Sequence, residues 1–227
     1  MKQYLQGSWA VLQNDLRVEL RARHGLSAIA MFVAAALLLV LFAIGTAEVG
    51  SRADAALLWL IILFAAAVGL SRSFEAEEER GTTLLLQLHV TPAAVFTGKL
   101  LYNSLLTLML AISAAIGFRI LFGSVPAEPA LFGIALLGGA IGLAGTSTLL
   151  GAIIARASGR GPLMAVLAFP LQIPLLLSVV RLTERSLRPP PALDIWAAST
   201  TDLTATLGYC GLVVTAGALL FDYVWRD

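Results

Sequence analysis

Charge is absent from more than half of this chain, and it is absent in blocks. Six stretches contain no Asp, Glu, Lys or Arg: Leu26–Ala47, Ala55–Ser71, Leu100–Phe118, Ala130–Ala155, Pro162–Val180 and Leu203–Phe221. They take up 122 of the 227 residues, so all 29 charged side chains are confined to the other 105. No soluble fold requires such segregation. A bilayer does, because a charge at its centre costs about 2.5–3.5 kcal/mol even on the lenient insertion scale. A helix rises about 1.5 Å per residue, so roughly 20 residues cross a hydrocarbon core of roughly 30 Å. Each stretch is close to that length and too long for a barrel strand, and the backbone of a span must satisfy its own hydrogen bonds. The expected fold is all-α: a polytopic integral membrane protein with six transmembrane helices, at about 26–47, 55–71, 100–118, 130–155, 162–180 and 203–221. Residues 26–227 form the membrane domain, and 72–99 form the one sizeable loop.

This arrangement excludes a soluble enzyme. A net charge of +1 without a basic stripe excludes a nucleic-acid binder. Lys and Arg set the orientation. Ten fall on the side of the N-terminus, the 72–99 loop, the 156–161 loop and the C-terminus; five (Arg52, Arg119, Arg181, Arg185, Arg188) fall on the other. Both termini are expected in the cytoplasm, with Arg181–Asp202 outside, where Pro189-Pro190-Pro191 forbids a continuous helix. The first apolar run begins only at Leu26 and is longer than the core of a signal peptide, so it reads as a retained span.

Residues 1–25 read as a cytoplasmic amphipathic helix lying in the membrane interface. Leu5, Trp9, Leu12, Leu16 and Leu20 recur at helical spacing, with Asp15, Arg17, Glu19, Arg21 and Arg23 close by. A soluble helix packed on another subunit is the alternative.

The spans contain none of the charged groups or histidines that ion-coupled carriers and relays use, which argues against a secondary carrier. Ser147 stands in Gly-Thr-Ser-Thr-Leu, not in a nucleophile elbow, and Gly98-Lys99 is not part of a phosphate loop. Catalytic residues are therefore expected to be none, the chain is not expected to be an enzyme, and any ATP hydrolysis belongs to a partner. The lone Cys210 excludes an intrachain disulfide and a cysteine metal site. Within the spans, Gly138 and Gly142, followed by Gly145, permit close helix packing. Gln172, between Pro170 and Pro174 in a helix that both prolines bend, is either an interhelical hydrogen bond or part of a moving interface.

The densest signal is Phe74–Pro92. Glu75, Glu77, Glu78, Glu79 and Arg80 read as a helical extension of the second span. Gly81 ends it, and Thr82 or Thr83 caps a short helix with Leu84, Leu85 and Leu88 on one face. Thr91-Pro92 then restarts the chain as N-cap and first helical residue. The expected product is a short crosswise helix, a handle for a soluble partner; the alternative is a solvated charged loop.

This stretch resembles the loop of type-2 ABC transporter permeases, through Glu78, Glu79, Arg80, Gly81, Thr82, Leu84–Leu86, Thr91, Pro92, Gly98 and Lys99. Asp15-Leu16-Arg17-Val18-Glu19-Leu20-Arg21 is similar to the N-terminal motif of the haem exporter protein B (CcmB-type) family. Phe169-Pro170-Leu171-Gln172-Ile173-Pro174-Leu175-Leu176 is similar to that family's fifth-span segment. The resemblance implies a permease subunit in a bacterial inner membrane that couples a separate ABC ATPase to export or release of haem in cytochrome c maturation. It implies as partners the ATPase on the 72–99 loop, a haem-handling membrane subunit and a small single-span protein, with a second permease copy expected beside them. No cofactor is expected in this chain: ATP belongs to the ATPase and haem is possible cargo. Met31, Met109, Met164, Tyr209 and Cys210 read as packing rather than axial ligands. A scaffold that recruits the ATPase without transporting, or a permease for a drug, lipid or polysaccharide, are the other readings.

Overall fold

The computed structural model describes residues 2–22, 24–45, 50–70, 91–154, 160–188 and 194–226. Among these there are seven helices and no strand: α1 Lys2–Ala22, α2 His24–Ile44, α3 Ser51–Leu70, α4 Pro92–Phe122, α5 Pro129–Ile154, α6 Arg160–Leu187 and α7 Ile195–Arg226. Helices α2 to α7 are the six long and apolar enough to cross a bilayer, as charge segregation predicts.

Successive spans run in opposite directions. The start of α2 meets the end of α3, where Ile29 touches Gly69. The start of α3 meets the end of α4, where Ser124 donates to Asp54 over 2.6 Å. α5 is the central helix: it packs against α3, α4, α6 and α7, and 61% of its apolar window is buried against 17% for α2 and for α7. Exposed Met31, Leu39 and Phe42 of α2, and Leu207, Leu212 and Leu219 of α7, form the apolar outside that lipid requires. The main core gathers Trp59 and Ile62 of α3, Leu110 and Ala114 of α4, Leu143 of α5 and Leu175 and Val179 of α6.

Two boundaries differ from those set by charge. α4 begins at Pro92, the first helical residue that Thr91-Pro92 predicts, and so eight residues before the uncharged run. Proline at the first helical position gives up no hydrogen bond there, and Thr91 precedes it with extended backbone (φ −66°, ψ 142°). Thr91 occupies the N-cap position but its side chain makes no cap bond; its carbonyl accepts from Ala94 and Val95. Gly98 and Lys99, assigned to the 72–99 loop by sequence, are thus helical. α6 continues to Leu187 and α7 starts at Ile195, so Arg181, Glu184, Arg185 and Asp202 lie on helix ends rather than in an outer loop. Their charges are paired: Asp202, almost buried, takes Arg185 at 2.5 Å and Arg181 at 3.6 Å, and Glu184 takes Arg188 one turn on. The triple proline at 189–191 lies outside the described residues. α4 stops at Gly123, whose φ of 69° suits a residue without Cβ and whose N–H caps the carbonyl of Arg119.

Candidate coupling site

Glu75, Glu78, Glu79, Arg80, Gly81, Thr82, Leu84, Leu85 and Leu88 lie outside the described residues. The structure does show what receives the chain as it leaves that segment. From Thr91 it enters α4, whose first two turns bury one face: Ala94, Val95, Phe96 and Lys99 are each at most 1% exposed. Phe96 packs on Phe221 of α7, ring centroids 5.4 Å apart. On another side lies α1. Val11 and Leu12 of α1 are buried, Leu16 is half-buried, and Leu5, Trp9 and Leu20 are exposed. The five-residue apolar stripe read from the sequence is therefore shared, with Leu12 packed inward and the exposed three left for an apolar medium.

Asp15 and Glu19 belong to the charged group that the sequence places beside that stripe. Both face α4. The Asp15 carboxylate lies 3.7 Å from the Lys99 ammonium, and Glu19 accepts a hydrogen bond from Tyr102. Arg17 and Arg21 are exposed. A spacing of 4, 3, 4 and 4 along Tyr4, Ser8, Val11, Asp15 and Glu19 was available to find this second face, but mixed polar and apolar residues hide it from a hydrophobic-periodicity search.

Deeper in the bundle, three consecutive residues of α5 fan out to three helices. Successive helical positions point about 100° apart. Thr146 meets the Tyr209 hydroxyl of α7 at 2.8 Å, Ser147 accepts from Gln172 Nε2 of α6 at 3.5 Å, and Thr148 accepts from Asn103 Nδ2 of α4 at 2.8 Å. Tyr209 also reaches the carbonyl of Leu171 at 2.9 Å, in the stretch between Pro170 and Pro174. Gln172 is buried and takes its partner from another helix. Asn103 Oδ1 is buried with no hydrogen-bond partner among the described residues.

The glycines serve packing within the chain. A Cβ on Gly138 would stand 2.7 Å from Thr206 Cγ2 of α7, on Gly142 2.4 Å from Leu175 of α6, and on Gly145 3.0 Å from Val213 of α7. The tightest approach was not singled out by sequence: a Cβ on Gly139 would lie 1.9 Å from the ring of Trp59 in α3. That indole is pinned by its Nε1–H, which donates to Thr183 over 2.8 Å. Met31 and Met109 face outward, and Cys210 donates to the carbonyl of Gly138. No group of three His, Cys, Asp or Glu placed to hold a metal occurs among the described residues.

Six antiparallel apolar helices and an N-terminal helix braced across the start of the third span define a multi-pass membrane protein. A match to the CcmB protein family covers residues 6–218, and the chain belongs to that family. It is 32% identical over 179 residues to heme exporter protein B of Rhodobacter capsulatus, spanning 78% of this chain and 82% of that one. It is 30% identical over 170 residues to heme exporter protein B of Bradyrhizobium diazoefficiens, spanning 74% of this chain and 77% of that one.

Proposed function

We propose that this chain is the permease subunit of an ABC-type haem exporter, and that it couples ATP hydrolysis on a separate subunit to export or release of haem for cytochrome c maturation. The family match across residues 6–218, with relatives named for heme export, carries this reading. The chain is not itself an enzyme and holds no cofactor; ATP binds on the partner ATPase and haem is cargo. The ATPase docks on the segment between α3 and α4. A haem-handling membrane subunit, a small single-span protein and a second permease copy complete the assembly. The membrane is the bacterial inner membrane, with both termini in the cytoplasm and the exposed Leu5, Trp9 and Leu20 of α1 in its inner interface.

A second reading, in which the chain recruits the ATPase to a haem-handling subunit and moves nothing through itself, is favoured by the packing of α5. Each of its three central hydroxyls is engaged by a different neighbouring helix. Purification from native membranes with identification of every copurifying subunit tests the proposal. An ATPase together with a haem-handling subunit supports it; an ATPase alone redirects it to a drug, lipid or polysaccharide exporter. Transport of haem by that purified assembly, reconstituted in vesicles, separates permease from scaffold.

Orientation is tested by cysteine accessibility in a Cys210→Ala background. Cysteines at Ser51, Glu128 and Pro190 are expected to react with an impermeant reagent from outside, and those at Glu78 and Gly159 only after the membrane is opened. Labelling at Glu78 from outside overturns the arrangement.

A further inference from the structure

Four contacts join α1 to the first turns of α4, and they fall on one stripe of α1. Tyr4 bonds Thr97, Ser8 and Val11 flank Gly98, Asp15 pairs with Lys99, and Glu19 accepts from Tyr102. Roughly 22 Å of α1 is matched by roughly 8 Å of α4, so the helices cross steeply instead of running side by side. At the crossing the backbones touch: a Cβ on Gly98 would stand 2.7 Å from Val11 Cβ and 2.8 Å from the carbonyl oxygen of Ser8. Beside it Lys99 is completely buried and the Asp15 side chain is 11% exposed.

An ion pair is a poor adhesive in such a place. Withdrawing two charges from water opposes their attraction, and an apolar pair of similar volume holds two helices as well or better. What a buried pair supplies is register, because any slide or turn of α1 leaves a buried charge unmatched. The pair also stands just beyond the point where the segment between α3 and α4 enters the bundle, eight residues after Thr91. The N-terminal Asp15–Arg21 motif and the Gly98-Lys99 pair, far apart in sequence, thus meet in one joint.

We propose that Asp15 and Lys99 are positioning residues that lock α1 to the start of α4 in a single register, so that the two helices move as one body when an ATPase acts on the 72–91 segment. This rests on the coupling reading above. Motion delivered at Thr91 passes along the two turns that carry Gly98 and Lys99, and the locked pair hands it to α1.

The test uses the complex with its ATPase in lipid nanodiscs, in a Cys210→Ala background. Spin labels at Asn14→Cys and Leu105→Cys report the joint, and a second pair at Glu78→Cys and Leu105→Cys reports the coupling segment. With the native ion pair, the joint distance is expected to stay in one narrow peak with and without a non-hydrolysable ATP analogue, while the coupling distance shifts. Asp15→Asn, Lys99→Met and the double variant Asp15→Leu with Lys99→Leu are expected to insert and retain the ATPase but to broaden the joint distribution about twofold, as lost register demands. Asp15→Glu is expected to keep it narrow. A joint distance that moves with nucleotide in the native pair overturns the proposal, as does a narrow peak in the apolar double variant, which would mean that adhesion suffices. If the coupling pair ignores nucleotide, the ATPase reading fails, and the nucleotide-free widths of the variants still decide the lock.

Discussion

Membranes containing Leu84→Asp or Leu85→Asp are expected to hold normal amounts of the protein and to lose its ATPase. On the coupling reading proposed above, the segment between α3 and α4 offers a partner two kinds of contact. Exposed ion pairs from Glu75, Glu78 and Glu79 are worth about 0–1 kcal/mol each, whereas burying one leucine is worth about 1.5–3 kcal/mol. Losing one leucine contact therefore weakens binding by one to two orders of magnitude, since about 1.4 kcal/mol is tenfold. An aspartate forced into the same groove adds its own desolvation. Glu79→Ala should weaken capture less than tenfold. Gly81→Val tests the helix end that the sequence predicts at this glycine, because a β-branched residue resists a left-handed backbone conformation. Pull-down of the ATPase at matched membrane expression reads all four variants. Full capture by the leucine variants would place the handle elsewhere.

The second large effect belongs to the bundle itself. Gly139→Ala is expected to lower the thermal midpoint of the detergent-solubilised protein by roughly 6–12 °C, from about 3 kcal/mol of overpacking at roughly 2–4 °C per kcal/mol for a chain of this size. The added methyl would sit 1.9 Å from an indole that is 1% exposed and tethered to Thr183, so neither side can give way. Trp59→Phe alone should also destabilise, through the lost hydrogen bond and the volume removed. In the Gly139→Ala background, however, it should restore part of the midpoint, because a phenyl ring does not reach where the indole does. Additive losses in the double variant would show that the α3–α5 contact is not what limits stability.

The number and placement of the spans were legible because the bilayer acts on every residue of a span at once, and charge is excluded from each over some 20 positions. The boundaries were less so, for a physical reason that differs at each end. Lys99 ended the uncharged run of the third span on paper, yet Asp15 neutralises it and the helix has already been under way since Pro92. Arg181, Glu184 and Arg185 ended the fifth span in the same way, while Asp202 and Arg188 match them and α6 runs on to Leu187. Partners 84 or 21 positions apart, as Lys99 and Asp15 or Arg181 and Asp202 are, leave no periodic trace in the sequence. Gln172 was legible as a buried polar group because nothing else in its apolar, proline-flanked stretch resembles it. That its partner is Ser147 was not, since serine in a span most often bonds its own helix.

The fan of hydroxyls on α5 has a mechanical consequence. A helix held by one polar contact can swivel and keep the rest of its neighbourhood. Thr146, Ser147 and Thr148 hold theirs in three directions, to α7, α6 and α4. Rotation of α5 about its own axis breaks all three together, leaving buried polar groups at about 1–3 kcal/mol each. α5 is thus an axle fixed in its bearings. A rearrangement that keeps these contacts swings the outer helices around it, and the most yielding of the three bearings is the one at Gln172, where the contact is longest and α6 carries two prolines within the helix.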